Sequence, residues 1–424
     1  MSRPLRVTVF SFSVLVLLYV SFGYVFGQSK QDHSSYRSLT VYGEVLDRIQ
    51  QDYVDQPNLH SVTVGGLHGL IEALDPESSY LSPREYAEWK KESDEHAKGG
   101  VGLNLSRRGY IFVISELPGS PALKAKIHEG DVLEAIAGYT TQDMSVQQAQ
   151  LLLGGAPGTT VKVAVVHSSS PKPVDVELTR VVMPQPPLLT TRIASDVGYL
   201  RVASFDRGAA KEIRGKLKQF ERQGVHKLIL DLRDCASGNA SEAVQTARLF
   251  LGSGTIATLR GQIIPAEIFS ADPAKVVWRG PVTVLMSGST AGPAEILAAA
   301  IAGNHRGDTV GQNTLGLASE QKLIPVDDGS ALFLTVGIYY TPSGKAILNN
   351  GVAPTVQVPP PNSQSALLDD QDSAPDPVPG QLPLATDPLV KKAVEILNGG
   401  ESADKATQGD SGSPRAGYLV RRAG

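Results

Sequence analysis

Leu228-Ile229-Leu230-Asp231-Leu232-Arg233 decides how the chain folds. Leu228, Ile229 and Leu230 leave no polar alternation, which is the pattern of a strand covered on both faces. The segments around it supply the cover. A strand is expected at 197–202 and a helix at 209–223 before it. A helix at 241–251, a second buried strand at 282–286, a helix at 293–303 and a strand at 331–338 follow it. Pro293 suits a first helical turn. Alternating strands and helices predict sheet layers covered by helices, so residues 188–358 read as an α/β core.

A smaller β-rich unit precedes the core at 97–182. Residues 110–115 alternate as a strand does, and strands are expected again at 132–136, 161–166 and 174–178. Ser145 caps a helix carrying Ala149, Leu152 and Leu153. Residues 38–96 read as helical, with Leu39, Tyr42, Val45, Leu46 and Ile49 at helical spacing. Past the core, 359–386 is an acidic, proline-rich linker that cannot bury a core. A helix at 387–397 and a flexible tail at 398–424 complete a multidomain α/β expectation.

Composition narrows the class. The chain has 424 residues, 41% hydrophobic and 19% charged, which suits several packed domains. Its formal net charge of −4 gives no footprint for nucleic acid. The single cysteine, Cys235, excludes an intrachain disulfide and a cysteine-cluster metal site. No cofactor or metal is expected. Arg3 and Arg6 precede an uncharged run from Val7 to Gly27. Residues 1–27 therefore read as a signal peptide or a membrane anchor, with everything after them outside the cytoplasm.

Four stretches carry a resemblance. They are Ala73-Leu74-Asp75-Pro76-Glu77-Ser78-Ser79-Tyr80-Leu81; Gly119-Ser120-Pro121-Ala122 with Glu129-Gly130-Asp131-Val132; the central strand quoted above; and Tyr339-Tyr340-Thr341-Pro342-Ser343-Gly344-Lys345. In this order and spacing the chain resembles the tail-specific, or carboxyl-terminal processing, serine peptidases from about Leu39 to Val358. The family uses a serine nucleophile, a lysine base and a glutamine that supports the lysine. The resemblance places these roles at Gly292, Leu317 and Gln321, with the oxyanion region at Gly238 and Pro293. Gly292 has no hydroxyl and Leu317 takes no proton. In a serine triad, loss of the nucleophile costs on the order of a million-fold in rate. A catalytically degenerate member is the expectation.

The unit at 97–182 resembles a PDZ domain. Its glycines allow backbone N–H groups to converge on a peptide carboxylate, and the following strand can pair with an extended peptide. Gly100, Val101, Gly102 and Leu103, with Ala149 and Leu153, are the expected peptide-binding residues. The resemblance implies polypeptide C-termini as ligands and an active peptidase relative as a partner, and the apolar faces of the helices around Leu39 to Leu81 and Leu389 to Leu397 suggest a homo-oligomer. The resemblance also implies a bacterial-type cell envelope location, with the membrane reached through the N-terminal segment. Three functions compete: a non-cutting binding protein, a structural envelope protein, and an active endopeptidase with displaced residues. The last needs Ser287, Ser289 or Thr290 as nucleophile and Lys322 or Lys345 as base. Cys235 reads as a small buried residue, and His305 as part of a solvated helix end.

Overall fold

The computed structural model describes residues 33–94, 99–142, 144–168, 170–359 and 384–399. The expected signal or anchor at 1–27, and most of the expected linker and tail, lie outside the described residues. Among the described residues no helix is long and apolar enough to cross a membrane. Two compact units divide the chain, residues 1–67 and 68–424.

The first unit holds the helix His33–Asp52 and the start of a second, Leu59–Glu72. Tyr42, Leu46 and Ile49 are half-buried, whereas Leu39, Val41 and Val45 stay exposed.

The second unit contains two β-rich bodies. In the smaller, five antiparallel strands are ordered Leu103–Arg108, Tyr110–Glu116, Val132–Ile136, Thr160–Val166 and Val174–Thr179. The helix Val146–Leu153 packs Val146, Ala149 and Leu153 into the same core as Ile111, Leu133 and Val163. A reciprocal cap starts that helix: Ser145 accepts from the Gln148 amide, and Gln148 accepts from the Ser145 amide.

The larger body is built on Lys227–Asp231. It lies third in a six-stranded sheet ordered Leu189–Arg192, Val197–Arg201, Lys227–Asp231, Val282–Met286, Asp308–Gly311 and Val356–Gln357. Only the first strand runs antiparallel to its neighbour. Leu228 and Leu230 face the helices Ala209–Arg222, Ala240–Ala247 and Pro293–Gly303. Ile229 faces the other way, onto Val390, Ala393 and Ile396 of the helix Pro388–Leu397. At the strand's end, buried Arg233 bonds Asp231 at 2.6 Å and Asp387 at 2.7 Å. Asp387 caps the C-terminal helix, so this ion triad fastens the helix to the sheet.

A second sheet is ordered Ser79–Leu81, Ala331–Tyr340, Thr255–Arg260 and Glu267–Ser270. Ser319–Pro325 pairs with the other side of Ala331–Tyr340. The helix expected at 241–251 ends at Ala247. Leu249, Phe250 and Leu251 are still buried, but in a turn whose Phe250 carbonyl is taken by the Arg306 guanidinium at 2.9 Å. That side chain replaces the helical hydrogen bond, so the apolar pattern runs on after the helix has stopped.

Candidate active site

The site lies where the strand Val282–Met286 turns into the helix Pro293–Gly303. Thr290 fixes the turn: its hydroxyl donates to the Leu232 carbonyl at 2.9 Å and accepts from the Ser287 amide. The Ala291 amide donates to the carbonyl of Cys235 at 3.0 Å. Gly292 then takes φ 56° and ψ −118°, a combination that side-chain-bearing residues adopt only under strain. A Cβ placed there would meet nothing within 4 Å. Its face is open space, and glycine is favoured there by backbone conformation alone.

Glu295, with no exposed surface, ties this turn to the loop that carries Leu317. One carboxylate oxygen accepts from the Gly292 amide at 2.9 Å and the Leu317 amide at 2.7 Å. The other accepts from the Gly316 amide at 2.7 Å and the Thr314 hydroxyl. Burial pushes this carboxyl up, and the Thr314 hydroxyl and three amides oppose the shift. Its place in the first helical turn also favours negative charge.

Gly292, Leu317, Gln321, Gly238 and Pro293 all line one cavity of about 410 Å³. The side-chain amide nitrogen of Gln321 donates to the Thr335 hydroxyl at 2.6 Å, while its Oε1 is buried and takes no hydrogen bond. Gly238 sits at φ 113°, and a Cβ there would lie 2.3 Å from the Phe205 backbone, so both conformation and contact require glycine. Pro293 brings no donor to the expected oxyanion region. It occupies the first helical position, where an unpaired N–H would be offered to an anion, and proline has none.

Among the described residues no hydrogen bond joins the alternative nucleophiles to the alternative bases. Ser289 and Thr290 are buried, with Thr290 held by the turn. Lys322 and Lys345 are exposed. Among the described residues no lysine lines the cavity. Burial and the Asp234 charge push the Cys235 thiol far up, so it stays protonated.

Sequence reasoning did not single out Glu77 as a cavity residue, although it lies inside a quoted motif. Burial first, then the negative charge of Asp75, push its carboxyl up to about 7, against a hydrogen bond from Ser106. Asp75 earns its place in the motif as a turn builder, accepting from the Glu77 amide, the Ser78 amide and the Ser78 hydroxyl.

The peptide-binding expectation needs correction in part. Strand Leu103–Arg108 is an edge strand and so is open to strand addition. Val101, Ala149 and Leu153, however, are buried in the small body's own core and form a floor, with only Leu103 half-exposed. Gly102, at φ 76°, is required by contact as well as conformation, since its Cβ would fall 2.3 Å from the Ser120 Cβ. The space around Gly100 is open. The preceding chain braces both walls of the groove. Gln148 donates to Glu85 at 2.6 Å, and Arg107 pairs with Glu72 at 2.7 Å. Asn104, Leu105 and Gln150 lie on the lining of the same cavity as Gly292, so groove and candidate site communicate.

A nucleophile-type turn beside a PDZ-like groove is the arrangement of a processing peptidase. The model of Peptidase family S41 matches residues 196–358, and that of the PDZ domain matches residues 88–166. The chain is 30% identical over 314 residues to the carboxyl-terminal-processing protease of Synechocystis sp., covering 72% of this chain and 73% of that protein. It is 28% identical over 339 residues to the carboxy-terminal-processing protease of Bartonella bacilliformis, covering 78% and 77%. The solved photosystem II D1 C-terminal processing protease is similar in fold, with a TM-score of 0.63 and 25% identity over 75% of this chain and 92% of that one. The chain belongs to Peptidase family S41, and carboxyl-terminal-processing proteases are its relatives.

Two expectations follow. Glu295→Gln preserves shape but puts an NH₂ against donors, whichever way the amide turns. It is expected to lower stability by about 2–4 kcal/mol, read from the urea midpoint; an unchanged midpoint contradicts the clamp. Glu77 has a folded pKa near 7 against about 4.3 for a free glutamate. Its folded form holds the proton more tightly, so the stability it contributes is complete below about pH 4 and is lost as pH rises through 7. The melting temperature should fall between pH 5 and pH 8, and Glu77→Gln should flatten part of that slope. An equally steep slope in the variant contradicts the assignment.

Proposed function

We propose that this chain is a non-proteolytic member of its family, which holds polypeptide C-termini in the PDZ groove without cutting them. The observation that carries the reading is the Gly292–Leu317 pair. Glu295 holds the two backbones in one cavity, and neither residue has a nucleophile or a base. The loss of a donor at Pro293 supports it, since removing one oxyanion donor costs about 100- to 1,000-fold in rate. The edge strand Leu103–Arg108 and the open space at Gly100 support peptide capture by strand addition. Arg3, Arg6 and the uncharged run behind them support export to the cell envelope, cleaved or anchored. The exposed Leu39, Val41 and Val45 support contact with a second copy or an active relative.

Fluorescence anisotropy of the full chain with labelled peptides tests the reading. A peptide ending in a free carboxylate is expected to bind about tenfold or more tightly than its C-terminal amide, because only the carboxylate gains charge-assisted bonds. Equal affinity overturns the C-terminal reading.

A further inference from the structure

We propose that the cavity beside Gly292 and Leu317 receives the ammonium group of a lysine side chain carried by a bound polypeptide, with Glu77 as its carboxylate partner and Gln321 Oε1 as a second acceptor. The inference rests on the peptide-binding reading and names which peptides that site selects.

The cavity's charge is one-sided. Among the described residues, Glu77 and Glu320 lie on its lining, and no lysine or arginine does. Glu320 is exposed and already accepts from the Tyr339 hydroxyl at 3.2 Å. Glu77 faces the Ser106 hydroxyl at a long 3.4 Å. Asp75, its charged neighbour, is negative, and the Asp75 carboxylate is already taken by its own turn. A carboxyl held this way gains most from a cation brought by a ligand.

Gln321 supplies an independent observation. Its amide nitrogen is taken by Thr335, and its oxygen is buried without a donor. An orphaned buried acceptor costs about 1–3 kcal/mol, which an incoming N–H relieves. Leu317 adds a half-buried hydrocarbon wall to the same lining. Two acceptors beside an apolar wall match an ammonium on a methylene stem, which packs its carbons and hydrogen-bonds its tip.

Labelled hexapeptides with free carboxylates test the inference on the full chain. All residues are alanine except one lysine, moved position by position, and each peptide is paired with its norleucine isostere. At one position lysine is expected to bind about tenfold more tightly than norleucine, as close charge pairs do at interfaces. Glu77→Gln removes the carboxylate, and Leu317→Lys fills the cavity with an ammonium from the chain itself. Either change should bring the lysine-to-norleucine ratio close to one. A ratio near one at every position in the unmodified chain, or a preference that survives both variants, overturns the inference. Norleucine peptides that bind through their carboxylate with no gain from lysine would sink this inference alone. Absence of all peptide binding would sink the C-terminal reading with it.

Discussion

A single buried carboxylate organises the site. Glu295 accepts four hydrogen bonds and makes no ion pair among the described residues; its donors come from two separate segments, the turn at Gly292 and the loop at 314–317. Neither segment has regular structure to hold it. The carboxylate replaces backbone pairing: it satisfies amides that a turn and a loop would otherwise leave bare in a protein interior. Its position in the first turn of Pro293–Gly303 matters, because the helix end favours the charge that burial penalises. The frame therefore depends on this acceptor, which bonds only backbone at positions 292 and 317.

Clamping through backbone amides lets the scaffold keep its shape with glycine at 292 and leucine at 317. A serine at φ 56° would strain the backbone by about 1–3 kcal/mol, and glycine relieves it. Proline at the next position removes a donor that the fold does not need and an oxyanion would. Leucine in place of a lysine removes the need to bury an amine. Each change favours stability or leaves it unaffected, and each lies against chemistry. The remaining polar atoms, Gln321 Oε1 and the Glu77 carboxyl, are what the cavity still offers to a ligand.

Much of the frame was legible in the sequence. The run Leu228–Leu230 announced a strand covered on both faces, and Ser145, Pro293 and Asp387 marked helix starts by their capping and first-turn chemistry. The strand Ser319–Pro325 was not legible. Its Ser-Glu-Gln-Lys start has neither alternation nor β-branched residues, and its extended form comes from pairing with Ala331–Tyr340. Past the helix end at Ala247, the Phe250 carbonyl is bonded by Arg306, distant in sequence. Motif register pointed to Gly292 through Glu295-Ile296 and to Leu317 through the run that ends at Gln321, and both line the cavity. Glu77 was hidden for the opposite reason: the motif around it reads as a turn, and only the tertiary fold brings that turn to the cavity.

Turnover of an unfolded protein substrate, followed by intact mass, tests the central claim most directly. The unmodified chain is expected to leave the substrate mass unchanged. A variant with Gly292→Ser, Pro293→Ala and Leu317→Lys restores nucleophile, donor and base, and should release C-terminal fragments slowly. Cleavage by the unmodified chain that disappears in Ser289→Ala would contradict the account and place a working nucleophile on the turn.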